Sequence, residues 1–145
     1  MRAKLDLTRK GIRPASSSEL YRLTVAYNDA LDRCTRNSCA NIDEVMSFFA
    51  DDAARTSVGG GSQAGKKAIR ESFLQRAERL QQIVEIKGID LWGDMVVCRL
   101  ERRDTTHTQP GVEHHLRILL VKGGKIKHLI VVVDPEEDAQ LRSGR

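Results

Sequence analysis

Near the end of one strand-length run, Arg102 and Asp104 are charged residues at a spacing that can do chemistry. Two apart on a strand, they share one face. The guanidinium would lower the pKa of Asp104 and hold it ionised, as a general base or a water-orienting group. The same spacing also makes a plain ion pair at a strand end. His114-His115 follows in the next run. Adjacent strand residues point to opposite faces, so at most one imidazole faces inward and the pair cannot ligate one metal. The inward imidazole would pass a proton near neutral pH. His107, in the loop over 105–111, is a solvated loop residue or a gate at a pocket mouth. Tyr27 is either a core tyrosine or a hydroxyl that donates to a substrate carbonyl.

Other residues exclude more than they offer. Cys34, Cys39 and Cys98 are odd in number, and the first two are not in a CxxC arrangement. A zinc site therefore lacks ligands at the right spacing, and reduced thiols are expected. Gly59-Gly60-Gly61 lacks the lysine-serine ending and the helix start of a phosphate-cradling loop, so it reads as a hairpin connection. A net charge of +4 with 4% aromatic residues is poor material for stacking bases, and nucleic acid is not expected as a partner. The 145 residues, 40% hydrophobic and 30% charged, suit one globular domain with a core. No apolar run approaches the ~20 residues of a membrane span. Residues 1–14 carry Arg2, Lys4, Arg9, Lys10 and Arg13 against Asp6 and no apolar leader. They read as a solvated basic arm of a cytoplasmic protein, with the domain over 15–135 and a tail over 136–145.

The elements that must position these residues follow from periodicity. The chain closes on three strand-length runs, 95–104, 112–121 and 126–133. The last two are joined by Lys122-Gly123-Gly124-Lys125, a strong hairpin signal because tight turns need positive φ at their centre. Upstream, Ser16 and Glu19 form a capping box. Leu20, Leu23, Tyr27, Leu31 and Cys34 then recur at helical spacing to about residue 36. Asn41 and Glu44 open a second helix with the apolar face Ile42, Val45, Met46 and Phe49, ending at Asp51-Asp52. Residues 53–58 predict a short strand. Ile69, Phe73, Ala77 and Leu80 predict a third helix over 65–80, followed by a strand over 83–91. Helices come first, then a curling sheet that needs something to wrap around.

This order resembles the nuclear transport factor 2-like superfamily, which includes the SnoaL-like cyclases, ketosteroid isomerase and limonene epoxide hydrolase. The resemblance covers residues 18–135. It rests on Tyr27 in the first helix, the stretch from Met46 to Ala54, Gly65-Lys66-Lys67-Ala68-Ile69 opening the third helix, and the final hairpin. It implies an α+β fold: a cone-shaped barrel of curved antiparallel sheet packed on three N-terminal helices. It also implies a conical pocket walled by alternate strand residues. Those would be Cys98, Leu100, Arg102 and Asp104 on one strand. On the next they would be Glu113, His115, Arg117, Leu119 and Val121, and on the last Leu129, Val131 and Val133. The uniformly charged opposite set, Arg99, Glu101 and Arg103, suits water. The middle strand leaves two registers open, because Val112, Leu116, Ile118 and Leu120 form its apolar half. Either that half is a sticky outer face for a homodimer, or a one-residue shift turns it inward and exposes His115 and Arg117.

Against the individual activities the motifs are incomplete. Ser57 stands where the isomerase carries its base aspartate, and Arg117 where it carries its second acid. Arg102 and Asp104 match the Arg-x-Asp pair of the epoxide hydrolase, but Val131 occupies its third position. Arg117 and Arg102 on adjacent strands would make the pocket cationic and in need of Asp104, Glu113 or an anionic ligand. The resemblance implies a cofactor-independent isomerase, cyclase, dehydratase or epoxide hydrolase acting on a hydrophobic or anionic carbonyl-bearing metabolite. His115 or Asp104 would be the base. Tyr27, Arg102 and Arg117 would be donors, with Cys98, Leu100, Glu113, Leu129 and Val131 lining the substrate. A non-catalytic binding or dimeric interaction module of the same fold is the alternative.

Overall fold

The structure, a computed structural model, describes residues 16–79, 82–104 and 112–133. The basic arm, the C-terminal tail and the loop with His107 lie outside the described residues. Helix α1 (Ser17–Arg36) starts where the sequence predicts, with Ser16 Oγ accepting the Glu19 backbone N–H at 3.2 Å. Its buried face is Leu20, Thr24, Tyr27, Asn28, Leu31, Cys34 and Thr35. Helix α2 (Ile42–Met46) is shorter than expected. Phe49, assigned from periodicity to its apolar face, instead opens strand β1 (Phe49–Ser57) beside Ile126. A spacing of three fits both a helix face and the start of a strand. The backbone bond from Ile126 N–H to Phe48 O at 2.8 Å settles it.

Strand β2 (Ser62–Ala64) pairs back on β1 across the triple-glycine connection. Its Ser-Gln-Ala sequence has no apolar alternation, so no sequence signal marks it. Helix α3 (Lys66–Arg79) crosses to the far edge, and four strands then meander back: β3 (Gln82–Trp92), β4 (Met95–Asp104), β5 (Val112–Lys122) and β6 (Lys125–Val133). The sheet order is β2-β1-β6-β5-β4-β3, with β1 and β6 parallel and every other pair antiparallel. The sheet is thus mixed rather than wholly antiparallel, and it stays open between β2 and β3. The crossover by α3 frees the direction of β1 from the hairpin count, which is why local patterning cannot fix it. Register shifts at Ile86/Gly88 on β3 and Leu120/Val121 on β5 interrupt the ladders where the sheet curls. The helices fill its concave side. Tyr27, Phe49 and Phe73 stack edge to face or tilted at 5.5 and 6.1 Å, each largely removed from water.

One expectation is overturned: Cys34 and Cys39 are joined by a disulfide, and Cys98 alone is free. Ser38 and Cys39 take φ of 53° and 54°, so the chain doubles back at the end of α1 and Cys39 N–H bonds Cys34 O at 2.6 Å. A five-residue separation across a helix end therefore brings the pair together although it is no CxxC. The bridge also removes reduced thiols as a support for the cytoplasmic assignment, because disulfides persist mainly in oxidising compartments. Closing so short a loop is worth about 2 kcal/mol in the chain-entropy account. Thiol titration of the unreduced, denatured chain should find one thiol, and reductant should lower the melting temperature by about 5 °C. Three thiols before reduction would contradict the bridge.

Candidate active site

Alternation on β5 decides which side chains reach the interior. Glu113, His115, Arg117, Leu119 and Val121 are buried, while Val112 and His114 are exposed and Leu116, Ile118 and Leu120 are partly so. The register that turns His115 and Arg117 inward is the observed one. On β4 the inner set includes Val96, Cys98 and Leu100, and on β6 it includes Leu129 and Val131. His114, on the outer face, lies 3.4 Å from Glu101.

Arg102 and Glu113 are directly opposite across β4 and β5, and Arg102 Nη2 meets Glu113 Oε1 at 2.8 Å. The same carboxylate oxygen lies 3.0 Å from His115 Nε2. Glu113 and His115 thus come from the one inward-facing row of β5, and Arg102 reaches Glu113 from β4. Burial pushes the His115 pKa below its usual value, and the bond to Glu113 opposes that. Glu113 is held below the usual carboxylate range, first by His115, with Arg102 adding to the effect. At neutral pH the pair is therefore a neutral imidazole on a carboxylate. Because a carboxylate only accepts, the ring donates Nε2–H to Glu113 and keeps its free lone pair on Nδ1.

Arg117 lies across from Cys98 and Val131, and its Nη1 donates to Asn28 Oδ1 on α1. Asn28 in turn donates to Thr24 O at 2.8 Å, which fixes its amide. Two further arginines, neither singled out in the sequence, enter from β1 (Arg55) and α3 (Arg76). A cavity of about 20 Å³, near the size of one ordered water, is lined by Arg55, Arg76, Gln82, His115 and Arg117. Its apolar wall is Leu31, Phe73, Leu129 and Val131. Arg55 sits over the Phe73 ring at 5.7 Å and donates to Gln63 at 3.1 Å. Burial, reinforced by Arg102, Arg55 and Arg117, pushes Arg76 down to about 9, still charged at neutral pH. Among the described residues, buried atoms without a hydrogen-bond partner include Tyr27 Oη, Arg55 Nε, Arg76 Nε, Gln82 Oε1 and Arg102 Nε.

Of the residues singled out in the sequence, His115, Arg117, Leu129 and Val131 line the cavity. Glu113, Tyr27, Cys98 and Leu100 are buried behind it, and Arg102 is nearly so. Burial raises Tyr27, with Arg117, Arg55 and Arg76 opposing, and raises the Cys98 thiol to about 11, so neither ionises near neutrality. Asp104 ends β4 opposite Gln82 in the backbone register, and its side chain lies outside the described residues. Arg55, Arg76, Asn28 and Gln82 were missed. Arg76 had a readable signal, since it stands three residues after Phe73 on the apolar stripe of α3. Among the described residues, no group of three or more His, Cys, Asp or Glu could hold a metal ion.

The chain matches no protein-family model and no curated protein by sequence. Its fold has clear counterparts. A proposed SnoaL-like polyketide cyclase from Jannaschia sp. CCS1 superposes with a TM-score of 0.74 at 10% identity, covering 92% of this chain and 99% of that one. A proposed isomerase from Rhodopseudomonas palustris gives 0.72 at 16% identity over 85% and 97%. An LEH-like epoxide hydrolase from M. tuberculosis gives 0.71 at 17% identity over 88% and 98%. The chain has the nuclear transport factor 2-like α+β fold. Among the described residues, no helix is long and apolar enough to cross a membrane.

Proposed function

We propose that the protein catalyses cofactor-independent proton transfer on a small carbonyl-bearing metabolite. The reaction would be an isomerisation, cyclisation, dehydration or epoxide opening. The observation that carries this reading is the buried His115–Glu113 contact at 3.0 Å, with the imidazole on the cavity wall beside Arg117. In this account His115 Nδ1 takes the proton from carbon next to the carbonyl, and Glu113 orients the ring and stabilises the imidazolium that forms. Arg117 stabilises the developing oxyanion, with the Tyr27 hydroxyl, which has no hydrogen-bond partner among the described residues, buried behind it. Asp104, two residues beyond Arg102 in the sequence, remains the alternative base, and Asp104→Asn separates the two. The test is α-proton exchange into D₂O, followed by NMR, across cyclic ketones and keto acids. Exchange above buffer that is lost in His115→Gln supports the reading, and a panel with no catalysed exchange sinks it.

A non-catalytic binding module is the second reading, favoured by the size of the cavity. About 20 Å³ admits no metabolite until Phe73 or Leu31 moves. Such a module would hold a ligand with no proton exchange. In either case we expect a homodimer through the outer sheet face. There Leu116, Ile118 and Leu120 stand beside Val97, Ile130 and Val132, all only partly buried in one chain. Ile118→Arg should convert a dimer to a monomer by light scattering, whereas a monomeric wild type would refute the assembly.

A further inference from the structure

Among the described residues, the cations around the cavity outnumber the anions that face them. Arg55 is 7% exposed and Arg117 5%. Arg76 lines the same cavity with them. Among the described residues, none of the three has an ion-pair partner, while the nearby carboxylate Glu113 is occupied by Arg102 and His115. Arg117 does have a neutral partner in Asn28, and one fork of Arg55 has Gln63. That leaves the Nε–H of Arg55 and the Nε–H of Arg76 as buried donors with no acceptor among the described residues. Buried charge without compensation is strongly unfavourable, so such a cluster is maintained against its own electrostatics. The chain itself supplies the opposite, apolar wall through Leu31, Phe73, Leu129 and Val131.

We propose that Arg55 and Arg76 form a subsite for the carboxylate of an apolar carboxylic acid, whose hydrocarbon body packs on Phe73 and Leu129 once Leu31 moves to enlarge the cavity. The guanidinium fork matches a planar carboxylate, and an anion restores charge balance where a neutral carbonyl would not. The apolar wall selects against a bare inorganic oxyanion, which has nothing to bury there. If the proton-transfer reading also holds, the substrate is a carboxylic acid bearing a second carbonyl or epoxide within reach of His115. The carboxylate subsite does not depend on that chemistry.

Benzoate and its neutral isostere benzamide test the subsite on the full chain, by calorimetry and by melting temperature at matched ionic strength, with inorganic phosphate as a third arm. Benzoate should bind and raise the melting temperature, while benzamide and phosphate should do neither. Arg76→Met and, independently, Arg55→Met should weaken benzoate by about 10- to 100-fold. Each should also raise the melting temperature of the free protein, since a buried unpaired charge is removed. Benzamide binding as well as benzoate would overturn the proposal. So would phosphate matching benzoate, benzoate affinity unchanged in both variants, or both variants melting lower than wild type. His115→Gln should keep benzoate binding. A wild type that binds benzoate through Arg76 yet exchanges no α-proton retains the subsite and refutes the catalytic reading.

Discussion

Replacing His115 with glutamine is expected to cut catalysed α-proton exchange by about 10²- to 10⁴-fold, the usual contribution of a positioned general base. Glutamine keeps a donor for Glu113 and roughly the volume of the ring, so the fold should survive. The loss should fall on turnover rather than on ligand affinity, because the imidazole acts on the proton and not on the ligand's anionic group. The wild-type rate should also fall as pH drops below the imidazole pKa, since only the neutral ring has a free Nδ1 lone pair. That pKa lies below 6.5, so the rate should be flat through neutrality and decline only on the acid side. A variant as fast as wild type, with the same pH profile, would remove His115 as the base and turn attention to Asp104.

The second large effect concerns stability. Glu113 is the described carboxylate that compensates the buried end of Arg102 and satisfies His115 Nε2. Glu113→Leu leaves a cation uncompensated at a site where the arginine side chain is only 13% exposed. The expected cost is about 3 to 5 kcal/mol, read from urea unfolding. Combining it with Arg102→Met removes both charges, and the double variant should be far closer to wild type than the sum of the two singles. Strict additivity, or a single-variant cost below about 1 kcal/mol, would mean that the pair is not coupled.

How much of this could be read from the chain differs by element. The three closing strands were legible almost to the residue, because Arg99, Glu101 and Arg103 are charged on one face while Cys98 and Leu100 are not. On β5 the pattern is ambiguous: a polar row of Glu113, His115 and Arg117 alternates with an apolar row of Leu116, Ile118 and Leu120. Ordinary patterning would bury the apolar row. The resemblance to a cone with a polar cavity pointed the other way, and the buried row is indeed the polar one. The parallel pairing of β1 with β6 is long-range and leaves no local trace. The Cys34–Cys39 bridge depends on positive φ at two non-glycine residues, which spacing rules do not anticipate. Arg55 and Arg76 escaped notice because a lone arginine in an amphipathic element normally reads as a solvated edge. Their significance appears only when four elements bring Arg55, Arg76, Arg102 and Arg117 to one place.

The central claim is that the concave face of the sheet holds a neutral imidazole poised on a carboxylate. Nitrogen-detected NMR of histidine-labelled protein, titrated from neutral to acidic pH, tests it directly. The expected result for His115 is a neutral ring at pH 7 with the proton on Nε2, and a titration midpoint below the ordinary 6.5. An imidazolium at pH 7, or a neutral ring protonated on Nδ1, would contradict it.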